Sequence, residues 1–208
     1  MSISTQTHTI TQSPSLSMKY LVLFLGVILL ASTTTSFAQT CAATNAPFLA
    51  KLRWPVPKTC LMRYYITRSG TSIPYLTRYL IFRQAFAIWT KATCIRFALT
   101  SIERIADITF TFEVRDGPSQ TVATAFPPTD GRIRLDSEEN WATSQSSLGP
   151  TNLDLLTVAV HEIGHALGLR HTAKPTAVMN KNFQLGERKI TLDAQDISRI
   201  EELYGKCN

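Results

Sequence analysis

The sequence predicts an α+β domain in which a mixed sheet is followed by a buried helix. Segments rich in β-branched and aromatic residues alternate with stretches of helical periodicity, and Gly/Pro turn signals separate them. An apolar, histidine-rich helix is predicted in the last third of the chain. With 208 residues, of which 44% are hydrophobic, the chain is long enough for one domain with a proper core.

The N-terminus has the pattern of a secretory signal peptide. Lys19 supplies a positive charge, residues 20–31 form a short apolar run, and Ser36-Phe37-Ala38 places small residues at a cleavage site. We predict a signal peptide over residues 1–38, with Met18 as an alternative start and an uncleaved anchor as the alternative interpretation. The product is expected to be secreted, with an N-terminal segment over 39–53 and one domain over 54–208.

Charge and hydropathy limit the classes of partner that we expect, and the cysteine count indicates disulfides. The net charge of +6 comes without a compact Lys/Arg run, so we expect no nucleic-acid partner. No second apolar segment is long enough to cross a membrane, so we expect no stable membrane insertion. The sequence leaves the oligomeric state open, with a monomer as the default expectation. Four cysteines in a secreted chain favour two disulfides with three connectivities. We favour Cys60–Cys94, which links two predicted strands, and Cys41–Cys207, which ties the chain ends together.

The predicted elements follow in order along the chain. Strands are expected over Leu61–Thr67, Cys94–Leu99, Ile108–Val114, 121–126 and 132–136, with a helix over Ile73–Thr90 between the first two. Asn152 is the predicted cap of the histidine-rich helix, which runs to about Leu167, and Thr191 is the predicted cap of a last helix that ends near Gly205.

Three of the four histidines in the chain lie in the stretch His161-Glu162-Ile163-Gly164-His165-Ala166-Leu167-Gly168-Leu169-Arg170-His171. His161 and His165 are four residues apart, so they share one helix face and can bind one ion. Gly168 can end the helix and turn the chain back, which delivers His171 as a third ligand. Three protein ligands leave one position for water, as in catalytic zinc sites.

Glu162 lies beside this predicted site and is expected to take a proton from the zinc-bound water and pass it to the leaving amine. A bare H-E-x-x-H pattern also occurs in ordinary amphipathic helices. The addition of Gly168 and His171 favours zinc binding by His161 and His165.

Several motifs, in order and at matching spacing, make the chain resemble the matrixins, the matrix metalloproteinase family of the metzincins. They are the extended histidine motif followed by Thr172, the segment Ala177-Val178-Met179, the segment from Leu135 to Trp141, and Leu203-Tyr204-Gly205. The resemblance spans about residues 54–205. It implies a five-stranded twisted mixed sheet with three helices, an active-site cleft, and Met179 packed under the zinc site in a Met-turn.

The resemblance also implies how a substrate binds. An extended peptide segment of an extracellular protein would pair with the edge strand at Val122, Ala123, Thr124 and Ala125. The next side chain would enter a pocket whose wall is Lys181, Asn182 and Phe183, where matrixins have Pro-x-Tyr, and a hydrophobic residue is expected there. No matrixin propeptide motif is matched, so we expect protein inhibitors or the compartment to restrain the activity, with Cys41 as an alternative switch.

Metal binding is expected to differ from the family in one respect. Thr124 and Arg134 replace two histidines of the family's structural zinc site, so we predict one catalytic zinc. The resemblance implies a calcium site, although a plain polar turn is the alternative. Its ligands would be Asp116, Gly117, Ser119, Thr121, Asp136 and Glu139.

The sequence therefore predicts a secreted zinc-dependent endopeptidase that hydrolyses peptide bonds in extracellular proteins. The alternative is a catalytically silent secreted module that keeps the metal and acts as a decoy or surface-binding effector. Glu162 separates the two hypotheses, since metal binding needs only the histidines.

Overall fold

The structure, a computed structural model, describes residues 53–55, 61–118 and 120–206. The predicted signal peptide, Cys41, Cys60, Cys207 and Ser119 lie outside the described residues. Cys94 is buried, and both predicted disulfide pairings remain predictions. Three α-helices are described: α1 (Tyr75–Ala92), α2 (Leu155–Ala166) and α3 (Ala194–Tyr204). Within these described ranges, none of the helices combines the length and the apolar character needed to cross a membrane.

Five strands form one mixed sheet, as predicted. In chain order they are β1 (Leu61–Ile66), β2 (Arg96–Leu99), β3 (Ile108–Glu113), β4 (Ala123–Ala125) and β5 (Arg132–Asp136). Their order in the sheet is β2-β1-β3-β5-β4, with β4 antiparallel to β5 and the other pairs parallel. Two further short strands, β6 (Trp141–Ala142) and β7 (Leu153–Asp154), pair in parallel and were not predicted. The edge position of β4 leaves one of its sides open.

An aromatic cluster joins α1 to the sheet. Phe82 of α1 is fully buried and stacks on Phe110 of β3, with ring centroids 4.1 Å apart and planes inclined by 13°. One turn later Phe86 contacts Tyr64 of β1, with centroids 4.3 Å apart. Further along the same helix, the indole N–H of Trp89 donates to the carbonyl of Val160 in α2 at 2.8 Å. Helix α1 therefore connects the sheet to the helix that carries the histidines.

The start of α1 differs from the prediction. The sequence pattern placed it at Ile73, but the helix begins at Tyr75, after Pro74 with φ −56° and ψ 141°. A residue before proline is disfavoured in the α conformation, so Ile73 cannot belong to the helix. The apolar periodicity includes Ile73, but Pro74 sets the start of the helix at Tyr75.

The predicted cap of α2 was wrong. Asp154, not Asn152, caps this helix and accepts a hydrogen bond from the backbone N–H of Thr157 at 3.1 Å. Asn152 instead accepts from the N–H of Gly149 at 2.8 Å and closes the preceding loop. Because the chain forms β7 over Leu153–Asp154, the helix can only begin after it.

The predicted cap of α3 was also wrong, whereas its end at Tyr204, before Gly205, agrees with the prediction. Asp193, two residues after Thr191, accepts from the N–H of Gln195 at 2.8 Å. The carboxylate of Asp196 accepts from the N–H of Asp193 at 3.0 Å, which completes a reciprocal capping box.

Candidate metal centre and substrate cleft

Distant parts of the chain fix both ends of α2. At its N-terminus, the fully buried carboxylate of Asp154 forms a two-pronged ion pair with Arg188, with N–O distances of 3.0 and 2.7 Å. At its C-terminus, where helix carbonyls lack partners, the indole N–H of Trp54 donates to Ala166 O at 2.9 Å, and the hydroxyl of Tyr204 donates to Leu167 O at 2.7 Å. These contacts hold the histidine-bearing helix in one position.

Gly164 lets two large side chains approach the centre of α2. A Cβ atom at this position would overlap the sulfur of Met179 and lie 2.9 Å from a ring carbon of Trp89. Met179 is fully buried, and its predicted packing under a zinc ion stays a prediction. The glycine inside the motif is therefore required by packing against α2.

The three motif histidines converge on one point. Nε2 of His171 lies 3.2 Å from Nε2 of His161 and 3.0 Å from Nε2 of His165. Helix α2 supplies the first two rings, one turn apart. Gly168, at φ 103°, then reverses the chain so that His171 returns to face them, as predicted.

Backbone carbonyls orient the two helical histidines. Nδ1 of His161 lies 2.7 Å from Val178 O, and Nδ1 of His165 lies 2.7 Å from Leu169 O. A carbonyl oxygen can only accept, so each Nδ1 carries the proton, and each Nε2 of the neutral ring presents a lone pair to the shared point. This tautomer is the one that metal-binding histidines adopt.

The arrangement fits a zinc ion. Two ligands of a tetrahedral zinc, each about 2.0–2.1 Å from the ion, are separated by about 3.3–3.4 Å, close to the observed nitrogen separations. Burial lowers the pKa of His161 to about 3 and lowers the pKa values of His165 and His171, so the rings are neutral at ordinary pH. Among the described residues, these three histidines are the group whose potential metal-ligand atoms all lie within 4.8 Å of one another.

Glu162 is buried next to the histidine cluster and is only 4% exposed. Burial raises the pKa of its carboxyl group to about 8, while a hydrogen bond from the backbone of Ala125 and the charge of Arg115 act in the opposite direction. A cation held by the neighbouring histidines would further favour the ionised carboxylate. The position therefore suits a group that exchanges a proton near neutral pH.

An open cleft of about 470 Å³ runs past the histidines and Glu162. Edge strand β4, the three residues before it, Lys181 and Phe183 also line this cleft. Of the predicted substrate-binding residues, six line this cleft: Val122, Ala123, Thr124, Ala125, Lys181 and Phe183. Asn182 differs, since it lines a second, smaller cavity that shares Phe183 with the cleft.

The predicted calcium ligands are only partly brought together. The carboxylate of Asp116 accepts from the backbone N–H and the hydroxyl of Thr121, at 3.2 and 2.6 Å. Gly117 N–H donates to the carboxylate of Glu138 at 3.2 Å. Asp136 and Glu139 are buried, and Oδ2 of Asp136 is buried with no hydrogen-bond partner.

Two features of the site were not predicted. One is the pair of carbonyls, on Val178 and Leu169, that orient the histidines. The other is Asp196, whose buried carboxylate accepts from the N–H groups of Val178 and Met179 at 2.7 and 3.2 Å. Every residue has a backbone carbonyl, so the sequence could not indicate the first feature. The second could have been suspected, because Asp196 is an acidic residue in the first turn of α3.

The mixed sheet, the three helices and the histidine cluster define a metzincin-type domain. The chain belongs to the matrixin family, whose model, described as Matrixin, matches residues 53–205. Three of its relatives show the extent of the similarity. The chain is 39% identical over 137 residues to Metalloendoproteinase 2-MMP of Arabidopsis thaliana, which covers 60% of this chain and 36% of that protein.

It is 34% identical over 172 residues to Metalloendoproteinase 5-MMP of the same plant, which covers 76% of this chain and 47% of that protein. The chain is also 38% identical over 137 residues to Macrophage metalloelastase of Rattus norvegicus. This match covers 60% of this chain and 28% of that protein. The matched part of the chain thus spans less than half the length of these relatives. The predicted family membership is confirmed.

Proposed function

We propose that this chain is a secreted zinc-dependent endopeptidase that cleaves extended segments of extracellular proteins. The observation that carries the proposal is the convergence of three neutral imidazoles beside buried Glu162, in a cleft bordered by an open strand edge. The names of the relatives, metalloendoproteinases and a metalloelastase, support the same reaction class.

The ligands would be Nε2 of His161, His165 and His171. Bound there, zinc would supply a Lewis acid that polarises the scissile carbonyl and acidifies a water molecule. Val178 O and Leu169 O keep the first two rings in the required tautomer. With three protein ligands, the site would keep one coordination position for water, as catalytic zinc sites do.

Substrate backbone would add to the free side of β4 by hydrogen bonding. The strand runs antiparallel to β5 at the edge of the sheet, and its residues Ala123, Thr124 and Ala125 line the cleft. Glu162 would take a proton from the attacking water and return it to the leaving amine nitrogen. The burial of Glu162 and its hydrogen bond with the backbone of Ala125 support this role, because the substrate would pair with the same strand.

We also propose a calcium ion at the loop that begins at Asp116. The support is Oδ2 of Asp136, a buried carboxylate oxygen with no partner, together with the nearby buried Glu139. Oxygen ligands of this kind suit calcium, which takes six to eight of them. The ion would serve stability, since these residues lie outside the histidine cluster.

Cleavage of gelatin, casein and a quenched peptide library by the full chain tests the proposed activity. Zinc content is measured alongside, with and without a chelator. We expect about one zinc per chain and cleavage that the chelator abolishes and added zinc restores. Stoichiometric zinc without cleavage of any substrate would favour the silent metal-binding module instead.

A further inference from the structure

The face of the sheet opposite α1, here called the outer face, carries exposed apolar and basic side chains around β1. Tyr64 and Ile66 are buried on the side of α1, so the alternate residues Leu61 and Arg63 point to the outer face. Arg96 of β2 is in register with Leu61 and shares that face. Leu61 is 39% exposed, and both arginines are exposed.

The connection from β2 to β3 passes over the same face. Strand β1 lies between these two strands, and α1 occupies the opposite side, so residues 100–107 must cross β1 on the outer side. The N–H groups of Thr100 and Asp107 donate to Tyr64 O and Arg63 O at 2.9 and 2.7 Å. The Asp107 carboxylate accepts from the N–H of Arg63 at 2.8 Å. Both ends of the connection are therefore anchored on β1.

The crossing connection exposes two isoleucines with an arginine between them. It contains a short 3₁₀ turn, Glu103–Ile105, in which residues three positions apart lie on the same side. Ile102 and Ile105 are 46% and 42% exposed, and Arg104 and Glu103 are exposed as well. We call the combined surface the outer patch, which consists of Leu61, Arg63, Arg96, Ile102, Arg104 and Ile105.

We propose that the outer patch binds peripherally to a membrane surface that contains anionic phospholipid. Neighbouring apolar side chains that a folded domain holds exposed mark an interaction surface. Here the aliphatic side chains would enter the boundary between headgroups and acyl chains, and the guanidinium groups would pair with lipid phosphates. The ordered backbone of the connection lowers the entropy cost of this contact, since both of its ends are already hydrogen-bonded.

Charge favours this occupant over a second copy of the chain. Strand β2 is an edge of the sheet, so another copy could pair with it. Such pairing would bring Arg63, Arg96 and Arg104 close to their counterparts, and like charges across an interface are unfavourable. The carboxylates nearby are Glu103 and the buried Asp107. An anionic surface would instead compensate the arginines.

The outer patch is separate from the proposed active site. Strand β4, which lines the cleft, is the opposite edge of the sheet and lies three strand spacings from β1, about 14 Å. A chain bound to a membrane through the outer patch would therefore keep its cleft open. The inference goes beyond the proposed peptidase function and does not depend on it.

Co-sedimentation of the full chain with vesicles tests the proposal. One set consists of phosphatidylcholine alone, and the other contains equal parts of phosphatidylcholine and phosphatidylglycerol. We expect wild type to bind the anionic vesicles more tightly, with an affinity that falls as salt is added. Ile102→Ser/Ile105→Ser and Arg63→Gln/Arg104→Gln should each weaken that binding on the order of tenfold.

Matched controls come from α1, on the other side of the sheet. Leu76→Ser/Leu80→Ser removes two aliphatic side chains that are 64% and 51% exposed, and Arg83→Gln/Lys91→Gln removes two exposed charges. Both should bind like wild type. Equal binding of wild type to the two vesicle types, or equal losses in patch and control variants, would overturn the proposal. Self-association of wild type that the isoleucine variant abolishes would assign the patch to a second copy and overturn it too.

Discussion

Asp196 and Val178 link the last helix to the metal centre. The carboxylate of Asp196 accepts from the N–H of Val178 at 2.7 Å, and the carbonyl of the same Val178 accepts from Nδ1–H of His161 at 2.7 Å. The backbone of Val178 thus connects the N-terminus of α3 to the imidazole ring of His161. We therefore expect Asp196 to act as a positioning residue, through the backbone of Val178.

Loss of this link should weaken metal binding. Asp196→Asn replaces one acceptor oxygen by a donor that faces the N–H groups of Val178 and Met179. We expect zinc affinity to fall by about 10- to 100-fold, measured by competition with a chelator of known affinity. Glu201→Gln, further along α3 and away from the Met-turn, should leave zinc affinity unchanged. Wild-type affinity in Asp196→Asn would contradict the positioning role.

Substitution at Gly164 should destabilise the domain. The added methyl group of Gly164→Ala would collide with Met179 and Trp89, both of which are fully buried. Overpacking of this kind costs about 1–3 kcal/mol in the free energy of unfolding, measured by chemical denaturation. Gly149→Ala is the control, because a Cβ there meets nothing within 4 Å. Equal stability of the two variants would show that the core near Met179 is looser than described.

The cap of α3 should make stability depend on pH in acid. Hydrogen bonds from the Gln195 backbone, Lys174 and Thr176 lower the pKa of Asp193 to about 2 from its ordinary 3.8. A depressed pKa means that the ionised group stabilises the fold above pH 4 and that this contribution is lost as the pH falls towards 2. Asp193→Asn should therefore be less stable than wild type at pH 6, with the gap closing near pH 2. Thermal unfolding of the two metal-free proteins measures this difference in stability. A difference that does not change with pH would be inconsistent with this account.

Calcium should raise the melting temperature of the chain. The buried Oδ2 of Asp136 lacks a partner, and an ion that binds only the folded state stabilises it. Asp136→Asn should abolish the increase, whereas Asp130→Asn, at an exposed ion pair with Arg132, should preserve it. Calorimetry with millimolar calcium at constant zinc measures the shift. An identical increase in both variants would exclude Asp136 as a ligand.

Some of these relationships follow from spacing and others do not. The four-residue separation of His161 and His165 and the turn at Gly168 predicted the histidine cluster, because helix geometry alone brings such residues together. The caps were predicted at Asn152 and Thr191 but are Asp154 and Asp193, since strand β7 and a capping box decide those boundaries. Local propensity does not show which of several possible capping residues begins a helix, because neighbouring strands and caps compete for the same residues.

The contact between Phe183 and His161 is a further case. Twenty-two positions separate the two residues along the chain, and their contact depends on the path that the chain takes after Met179. The motif therefore predicted the chemistry of the site. It did not predict the shape of the pocket beside it, which depends on packing between distant segments.

The most direct test of the central claim is a comparison of wild type and Glu162→Gln at equal zinc content. The substitution keeps the size of the side chain and removes its capacity to take a proton, and it leaves all three histidines in place. We predict that both proteins bind about one zinc per chain and unfold cooperatively, and that kcat/KM for peptide cleavage falls by at least about 100-fold in the variant. Equal cleavage by the two proteins would contradict the assignment of Glu162 as the proton-transfer group.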